Sequence, residues 1–353
     1  MDGLDQLFTV TNYQAIQVVL PLAKSSPTLA DKSCNDSDHG NDHPDNPPSS
    51  FSSSSSIITI ELFASPQAST DFDRTGQILW PVSHLLAHYL VTAAGQARLS
   101  NATVVELGAG GTGLPSLVAA ATGVARRVVV TDGNGDVILK LLQQNVEHFQ
   151  TQFPNSPTKL RAEQLVWGHR QQLEDVWQSL ADNNNDGKNA ASSASSSSLP
   201  YADVVLAADV VQWPAVLEPL LHTVRALLWR SPRAQPVLLL GIVNRAASTY
   251  HSFFQLAAHM GFGIQRKIHV SEIVPPDGTP LPDSCREYGG RETELYELIL
   301  TDPERTATAG SSTSQRLPLL LQPLEMTGDD ADAAHRHDLT IGTGFEHTFA
   351  LPC

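Results

Sequence analysis

A short apolar run that ends in a glycine-rich loop constrains this chain more than any other stretch. Thr103 to Leu107 read as a buried strand, Gly108-Ala109-Gly110-Gly111-Thr112-Gly113 as the loop, and Leu114 to Ala121 as a buried helix. A second run, Arg127 to Thr131, then ends in Asp132-Gly133-Asn134. Together these make half of a nucleotide-binding βαβ unit. Glycines let backbone approach a ligand, the helix N-terminus offers free N–H groups, and an acid about 20 residues further on accepts ribose hydroxyls. A loop that is glycine-rich for turn geometry alone is the competing reading, and the flanking strands weigh against it.

What such a unit can belong to is bounded by composition. The chain has 353 residues with 41% hydrophobic content, enough for one large domain or two small ones, and its long biased segments argue for one. Its 37 acidic against 22 basic residues give a net charge of −15. That disfavours a general nucleic-acid binder, which needs clustered Lys and Arg, and leaves room for a basic protein partner. Cys34, Cys285 and Cys353 are too few and too scattered for a disulfide framework or a metal site, so no metal is expected. No apolar run has the length of a membrane span. The acidic start, Met1 to Asp5, is unlike a signal or transit peptide. A reducing, soluble compartment is expected, cytoplasmic with the nucleus as second choice, as is a monomer.

Leu7 to Ala23 supplies a strand or two, and Lys24 to Ser56, rich in Ser, Asp, Asn and Pro, reads as disordered. Ile57 to Phe63 is a β-branched strand. Val82 to Ala94 has helical spacing behind Pro81, which suits a first helical turn, and this helix leads into the glycine-loop strand. Gly135 to Gln150 is a helix whose buried stripe is Val137, Leu141, Leu142, Val146 and Phe149. Leu160 to Trp167 form a third strand, Gln171 to Leu180 a short helix, and Asp182 to Ser198 a solvated insert. Asp203 to Asp209 read as a buried fourth strand with an acid at its carboxyl end. Ala215 to Trp229 form a helix, Pro236 to Val243 a strand, and Ala246 to Met260 a helix closed by Gly261. Phe262 to Val270 and Glu294 to Leu300 are the last strands. Seven strands alternating with helices imply one α/β, doubly wound sheet with an N-terminal extension. The expected division is an N-terminal segment over 1–56, a domain over 57–302 with an insert at 182–199, and a low-complexity tail over 303–353.

Gly108-x-Gly110-x-x-Gly113 formally satisfies the dinucleotide pattern, so an NAD-dependent oxidoreductase is one reading. Against it, the chain has no Tyr-x-x-x-Lys pair to move a proton with a hydride and no zinc-type grouping of Cys and His. Glu106 stands two residues before the first glycine, where an acid crowds a pyrophosphate. It suits a cationic ligand such as the sulfonium and ammonium of S-adenosylmethionine, because opposite charges at 4 Å attract by about 4 kcal/mol at an effective dielectric of about 20.

A series of motifs carries a family resemblance: Thr75-Gly76-x-x-Leu79-Trp80-Pro81, Val105-Glu106-Leu107-Gly108-Ala109-Gly110 with Leu114-Pro115, Thr131-Asp132-Gly133-Asn134, Val166-Trp167-Gly168, Ala208-Asp209-Val210-Val211 and Trp213-Pro214. In that order they resemble the seven-strand protein lysine methyltransferases of family 16, over roughly Ile57 to Thr301. The resemblance implies a Rossmann-like class I methyltransferase fold, S-adenosylmethionine as methyl donor, and lysine side chains of specific non-histone proteins as acceptors. Two positions depart from the family pattern. Its loop usually runs Gly-x-Gly-x-Gly, whereas Thr112 stands in the fifth place and the glycine arrives at Gly113. Its acid-x-x-aromatic motif would place Tyr or Phe where this chain has Gln212, with Trp213 next door.

On that resemblance the cofactor-binding set is Trp80, Glu106, Gly108, Gly110, Asp132, Asn134, Trp167 and Asp209, and the catalytic pair is Asp209 and Trp213. Asp132 accepts ribose hydroxyls, against its plain reading as a turn residue before Gly133. Trp167 flanks the adenine, or is a core tryptophan at a strand end. Asp209, at a strand's carboxyl edge, holds the acceptor or the donor's methionine end, or caps a helix. Trp80 lies near the methionine end, and Trp213 offers an aromatic face to a cationic lysine. Asn244 and Arg245 face the same rim, as ligand contacts or as caps. None of the 13 histidines is assigned to catalysis. Gln212 keeps a second reading alive, a catalytically weak interaction module built on the same fold.

Overall fold

The structure, a computed structural model, describes residues 13–23, 56–66, 72–181 and 200–301. The expected disordered stretch from Lys24, the insert from Asp182 and the tail from Pro303 lie outside the described residues, except Ser56, which opens a strand.

The main sheet runs β5 (Lys159–Gln164), β4 (Arg127–Asp132), β3 (Thr103–Leu107), β6 (Val204–Ala208), β7 (Val237–Val243), β10 (Arg291–Leu300) and β8 (Phe262–Ile268). The first five of these are parallel. β10 is antiparallel to β7, to β8 and to the two-residue strand β9 (Glu287–Tyr288). The expected doubly wound sheet is therefore present, with the antiparallel strands at one edge. Its central strands are apolar without alternation, VVLAA in β6 and VLLLGIV in β7, every residue of both buried. A strand covered by helices on both faces requires this pattern.

One face carries α1 (Pro81–Leu90), α2 (Ala93–Leu99), α3 (Leu114–Ala121) and α4 (Asp136–Gln152). The other carries α5 (Arg170–Ala181), α6 (Pro214–Leu228) and α7 (Ala247–His259). None of these helices is long and apolar enough to cross a membrane. A separate antiparallel pair, β1 (Gln14–Leu22) and β2 (Ser56–Ala64), packs Leu20, Ile60 and Leu62 into the first helical layer. The edge of β2 is held by Asn145 of α4, which is fully buried. Its Oδ1 accepts the Phe63 N–H at 2.6 Å, and its Nδ2 donates to the carbonyls of Phe63 at 2.9 Å and Gly111 at 2.7 Å. One side chain thus links the N-terminal extension to the glycine loop.

Two expectations change. The helix expected over Val82 to Ala94 is two helices. Thr92 is extended (φ −70°, ψ 161°), and its Oγ1 accepts the Gly95 N–H at 3.2 Å as the N-cap of α2. Gly95 makes the corner close: a Cβ there would lie 2.2 Å from the Tyr89 carbonyl oxygen. Helical spacing alone does not see an N-cap inside an apolar run. In α4, Val137 is 48% exposed and Ile138 is the residue that is buried. Ile138 lies against Gly76, where a Cβ would meet its Cδ1 at 3.0 Å. Ile138→Ala is expected to cost about 2–4 kcal/mol in denaturant unfolding and Val137→Ala less than about 0.5. Equal costs would show that the stripe of α4 has been misplaced by one residue.

Candidate active site

The chain leaves β3 toward β4 on one side of the sheet and returns after β5 to β6 on the other. This reversal opens the crevice in which doubly wound sheets bind ligands. A cavity of about 230 Å³ lies there. Its floor is Gly108 to Gly110 after β3, Asp132 to Asn134 after β4, and Leu165 to Trp167 after β5. Ala208, Asp209, Gln212 and Trp213 after β6 and Thr75, Gly76 and Trp80 also line it.

The glycine loop is bare where glycine is needed. Gly108 and Gly110 have φ of +65° and +62°, values that non-glycine residues rarely adopt. A Cβ on Gly108 would lie 2.8 Å from Val210, and one on Gly110 would lie 2.8 Å from the Gly76 carbonyl oxygen. Four of the loop's N–H groups are spent within the protein. Ala109 donates to the Thr131 carbonyl at 3.0 Å, Gly111 to the Gly76 carbonyl at 2.6 Å and Gly113 to the Ala109 carbonyl at 3.3 Å. Gly110 donates to Asp132 Oδ2 at 2.8 Å.

Glu106 is where the sequence reading is corrected. The side chain is 1% exposed, is absent from the cavity wall, and accepts the Ser116 N–H on Oε2 at 2.8 Å. It caps the first turn of α3 from below, so the expected free helix N–H groups are not all available to a ligand. Its hydrogen-bond partner is a backbone amide of α3. Burial pushes its carboxyl up to about 7, with Ser116 working against the shift and the Asp132 charge adding to it.

Asp132 does line the cavity. Besides Gly110, it accepts the Asn134 N–H on Oδ1 at 2.8 Å. Burial raises its pKa and these two amide bonds oppose the rise. Each carboxylate oxygen keeps a lone pair beyond its single amide bond, which is what a pair of ribose hydroxyls requires. Asn134 and Trp167 are half-buried in the wall. Gly168, with φ +85°, turns the chain behind Trp167, and its N–H is fixed to Thr223 Oγ1 at 2.9 Å.

Asp209 ends β6 in the left-handed region, at φ +61°. For a residue with a Cβ this costs of order 1–3 kcal/mol and persists only where neighbours hold it. Three groups do so. The Asp209 N–H donates to the Gly241 carbonyl at 2.9 Å, and Gln212 Nε2 donates to the Asp209 carbonyl at 2.7 Å. Arg245 grips both carboxylate oxygens, Nη2 lying 2.5 Å from Oδ2 and Nη1 bonding Oδ1. Sequence reasoning missed this ion pair, although it placed Arg245 on the same rim; two residues joined across neighbouring strands leave no mark in either strand's pattern. The guanidinium also stands over the rings of Trp80, at 5.6 Å, and Tyr288, at 5.7 Å. Those rings meet edge-on at 5.6 Å. Trp80 is steadied by an indole N–H bond to the Thr75 carbonyl at 2.9 Å. Trp213, 40% exposed at the N-cap of α6, stands at the cavity wall.

The fold therefore brings Trp80, Gly108, Gly110, Asp132, Asn134, Trp167, Asp209 and Trp213 to one cavity, and leaves Glu106 beneath it. The wall holds two carboxylates and no Lys or Arg among the described residues. Such a donor set fits S-adenosylmethionine, which carries a cationic sulfonium and an ammonium. It repels a pyrophosphate, whose usual amide cradle is already occupied by Asp132 and Gly76.

Residues 67–182 match the model of the family described as lysine methyltransferase, methyltransferase family 16. Among solved structures, the chain is similar to a protein of Pyrococcus horikoshii described as an RNA methyltransferase. The identity is 14% and the TM-score 0.34, over 63% of this chain and 84% of that one. It is similar to a methyltransferase from Pyrococcus furiosus at 11% identity and TM-score 0.32, over 57% and 77%. TrmN from Thermus thermophilus matches at 17% identity and TM-score 0.35, over 61% and 52%.

The position of Glu106 makes stability depend on pH. A carboxyl whose folded pKa lies above its unfolded value holds its proton more tightly when folded. Its stabilisation is full below about 4.5 and is lost as pH rises through about 7. Glu106→Gln, which can still accept the Ser116 N–H, is expected to remove most of that fall, on the order of 3 kcal/mol between acid and mildly alkaline pH. Denaturant unfolding of both proteins across that range checks this; parallel pH profiles would show that Glu106 does not carry the proton.

Proposed function

We propose that this chain is an S-adenosylmethionine-dependent methyltransferase whose acceptor is a lysine side chain of a non-histone protein, a reading supported by the match of residues 67–182 to the lysine methyltransferase family. The observation that carries the reading is a cavity lined by Asp132 and the Arg245-paired Asp209, with no Lys or Arg in its lining among the described residues and an exposed tryptophan at its rim. A lysine is a long apolar stem with a cationic head. Trp213 offers the stem and head an aromatic face, and Trp80 also lines the cavity.

S-adenosylmethionine, bound in the cavity, supplies an electrophilic methyl carbon. Asp132 and Asn134 would hold its ribose hydroxyls, Trp167 with Leu165 and Val166 its base, and the Gly108 and Asp209 end its charged methionine portion. For the rest, catalysis is positioning. The target ammonium must shed its proton before its nitrogen can attack, and the wall it enters is mainly aromatic and apolar, which favours the neutral amine. Asp209 contributes through its pair with Arg245: the ion pair fixes the left-handed turn, and with it the start of the segment carrying Gln212 and Trp213. Gln212 occupies the place of the family's aromatic residue because its amide closes that turn, and Trp213 supplies the aromatic face. The net charge of −15 favours a basic target segment.

Incubation with labelled S-adenosylmethionine and a lysate from cells lacking this protein tests the proposal. The expected product is a protease-sensitive, nuclease-resistant band whose label maps to lysine by mass spectrometry. Label in RNA, or cofactor binding with no labelled macromolecule, would overturn it, the second outcome favouring an interaction module.

Two substitutions separate donor from acceptor. Asp132→Ala is expected to raise the dissociation constant for S-adenosylmethionine by about 10- to 100-fold in calorimetry, the equivalent of about 1.5–3 kcal/mol for a charged hydrogen-bond acceptor. Trp213→Ala is expected to abolish transfer while leaving that constant within about threefold. Wild-type turnover in Trp213→Ala would make the tryptophan ordinary packing.

A further inference from the structure

Away from the cavity, the fold assembles three metal-ligating side chains that the sequence keeps apart. His84 and His88 stand one turn apart on α1, and Cys285 lies in a short turn, Asp283–Cys285, that packs on that helix. One ligand atom from each residue lies within 4.8 Å of the other two. The rings of the two histidines are 4.8 Å apart, and Cys285 is fully buried. His88 is 6% exposed, and neither of its ring nitrogens has a hydrogen-bond partner among the described residues. Such an imidazole pays the desolvation of two polar atoms with no return within the protein.

We propose that His84, His88 and Cys285 form a Zn²⁺ site. Two imidazoles spaced i, i+4 on one helix face present their nitrogens to a common point, and a thiolate with two imidazoles matches zinc's borderline-soft preference. Zinc bonds of about 2.0–2.3 Å place tetrahedral ligand atoms about 3.3–3.8 Å apart, so side-chain rotation has to close about 1 Å. His84 is only half-buried and gives the ion a path in from solvent. On binding, the Cys285 thiol releases its proton to solvent and the thiolate bonds the metal, with no change of oxidation state. Water takes the fourth position, and the nearby Asp277 carboxylate, whose charge already acts on His88, adds a second negative charge.

The ion would clamp the segment between β8 and β10 onto α1. The clamp reaches the candidate active site. Trp80 and Ser83 at the start of α1 line the cavity, and Tyr288, three residues beyond Cys285, packs on Trp80. The scatter of cysteines along the chain had argued against a metal; the fold removes that argument by bringing Cys285 to a histidine pair.

Full-length protein with Cys34→Ser and Cys353→Ser, leaving Cys285 as its sole thiol, is stripped with a chelator and titrated with Co²⁺ as a spectroscopic stand-in. The expected result is saturation at one equivalent, a thiolate-to-cobalt charge-transfer band, strong visible absorption from a four-coordinate ion, and displacement of both by Zn²⁺. Zinc is expected to raise the melting temperature, and His84→Gln to weaken zinc binding by about tenfold or more. Absence of the sulfur-to-cobalt band overturns the proposal, as does equal zinc affinity with and without His84. Cys285→Ala is expected to abolish the band; should that variant fail to fold, the spectrum of its parent decides alone.

Discussion

Two buried carboxylates hold the nucleotide-facing part of this protein together. Glu106 and Asp132 sit at the ends of neighbouring parallel strands, each accepting backbone amides of the glycine loop or the helix that follows it. A loop with three left-handed glycines, Gly108, Gly110 and Gly113, has large conformational freedom to lose. The two acids supply directional acceptors that select one conformation. The same bonds decide what the loop can bind: once its amides serve Asp132 and Gly76, the anion cradle familiar from dinucleotide folds is gone, and the cavity is left with carboxylates facing it.

The rim after β6 is organised on a similar principle. Asp209 is held in the left-handed region by Gly241, Gln212 and Arg245 acting on its N–H, its carbonyl and its carboxylate. The conformation turns the chain so that Trp213 emerges at the cavity wall and α6 starts immediately behind it. Gln212, which looks in the sequence like the loss of an aromatic contact, is in the structure a brace for its neighbour. Arg245 is neutralised by Asp209 and covered by Trp80 and Tyr288, so it does not add a free cation to a site whose proposed ligands are cationic.

The N-terminal extension belongs to this arrangement rather than to a separate unit. β2 is tied through Asn145 to Gly111, and the turn carrying Gly76 presses on both Gly110 and Ile138. Small residues at these contacts let three backbone segments approach one another above α4. The proposed zinc site would brace the place where α1 meets the segment before β10.

The sequence by itself determined the sheet and most of the residues around its cavity. Buried parallel strands must be apolar throughout, glycine must occupy positive φ, and a ligand in a doubly wound sheet must sit at the strands' carboxyl ends. Each of these rules writes itself into a local pattern, so Gly108, Gly110, Asp132 and Asp209 were legible from position, whereas Trp167 was implied only by the family resemblance. The bend at Thr92 and the choice of Ile138 over Val137 were not, because a cap within an apolar run and a one-residue rotation of a helix are decided by what packs against them. Pairings between distant residues were decided only by the tertiary structure: Glu106 turned to the Ser116 amide, Asp209 to Arg245, and Cys285 to His84 and His88. A side chain's partner depends on which strands and helices become neighbours, and no local pattern of the chain records that distance.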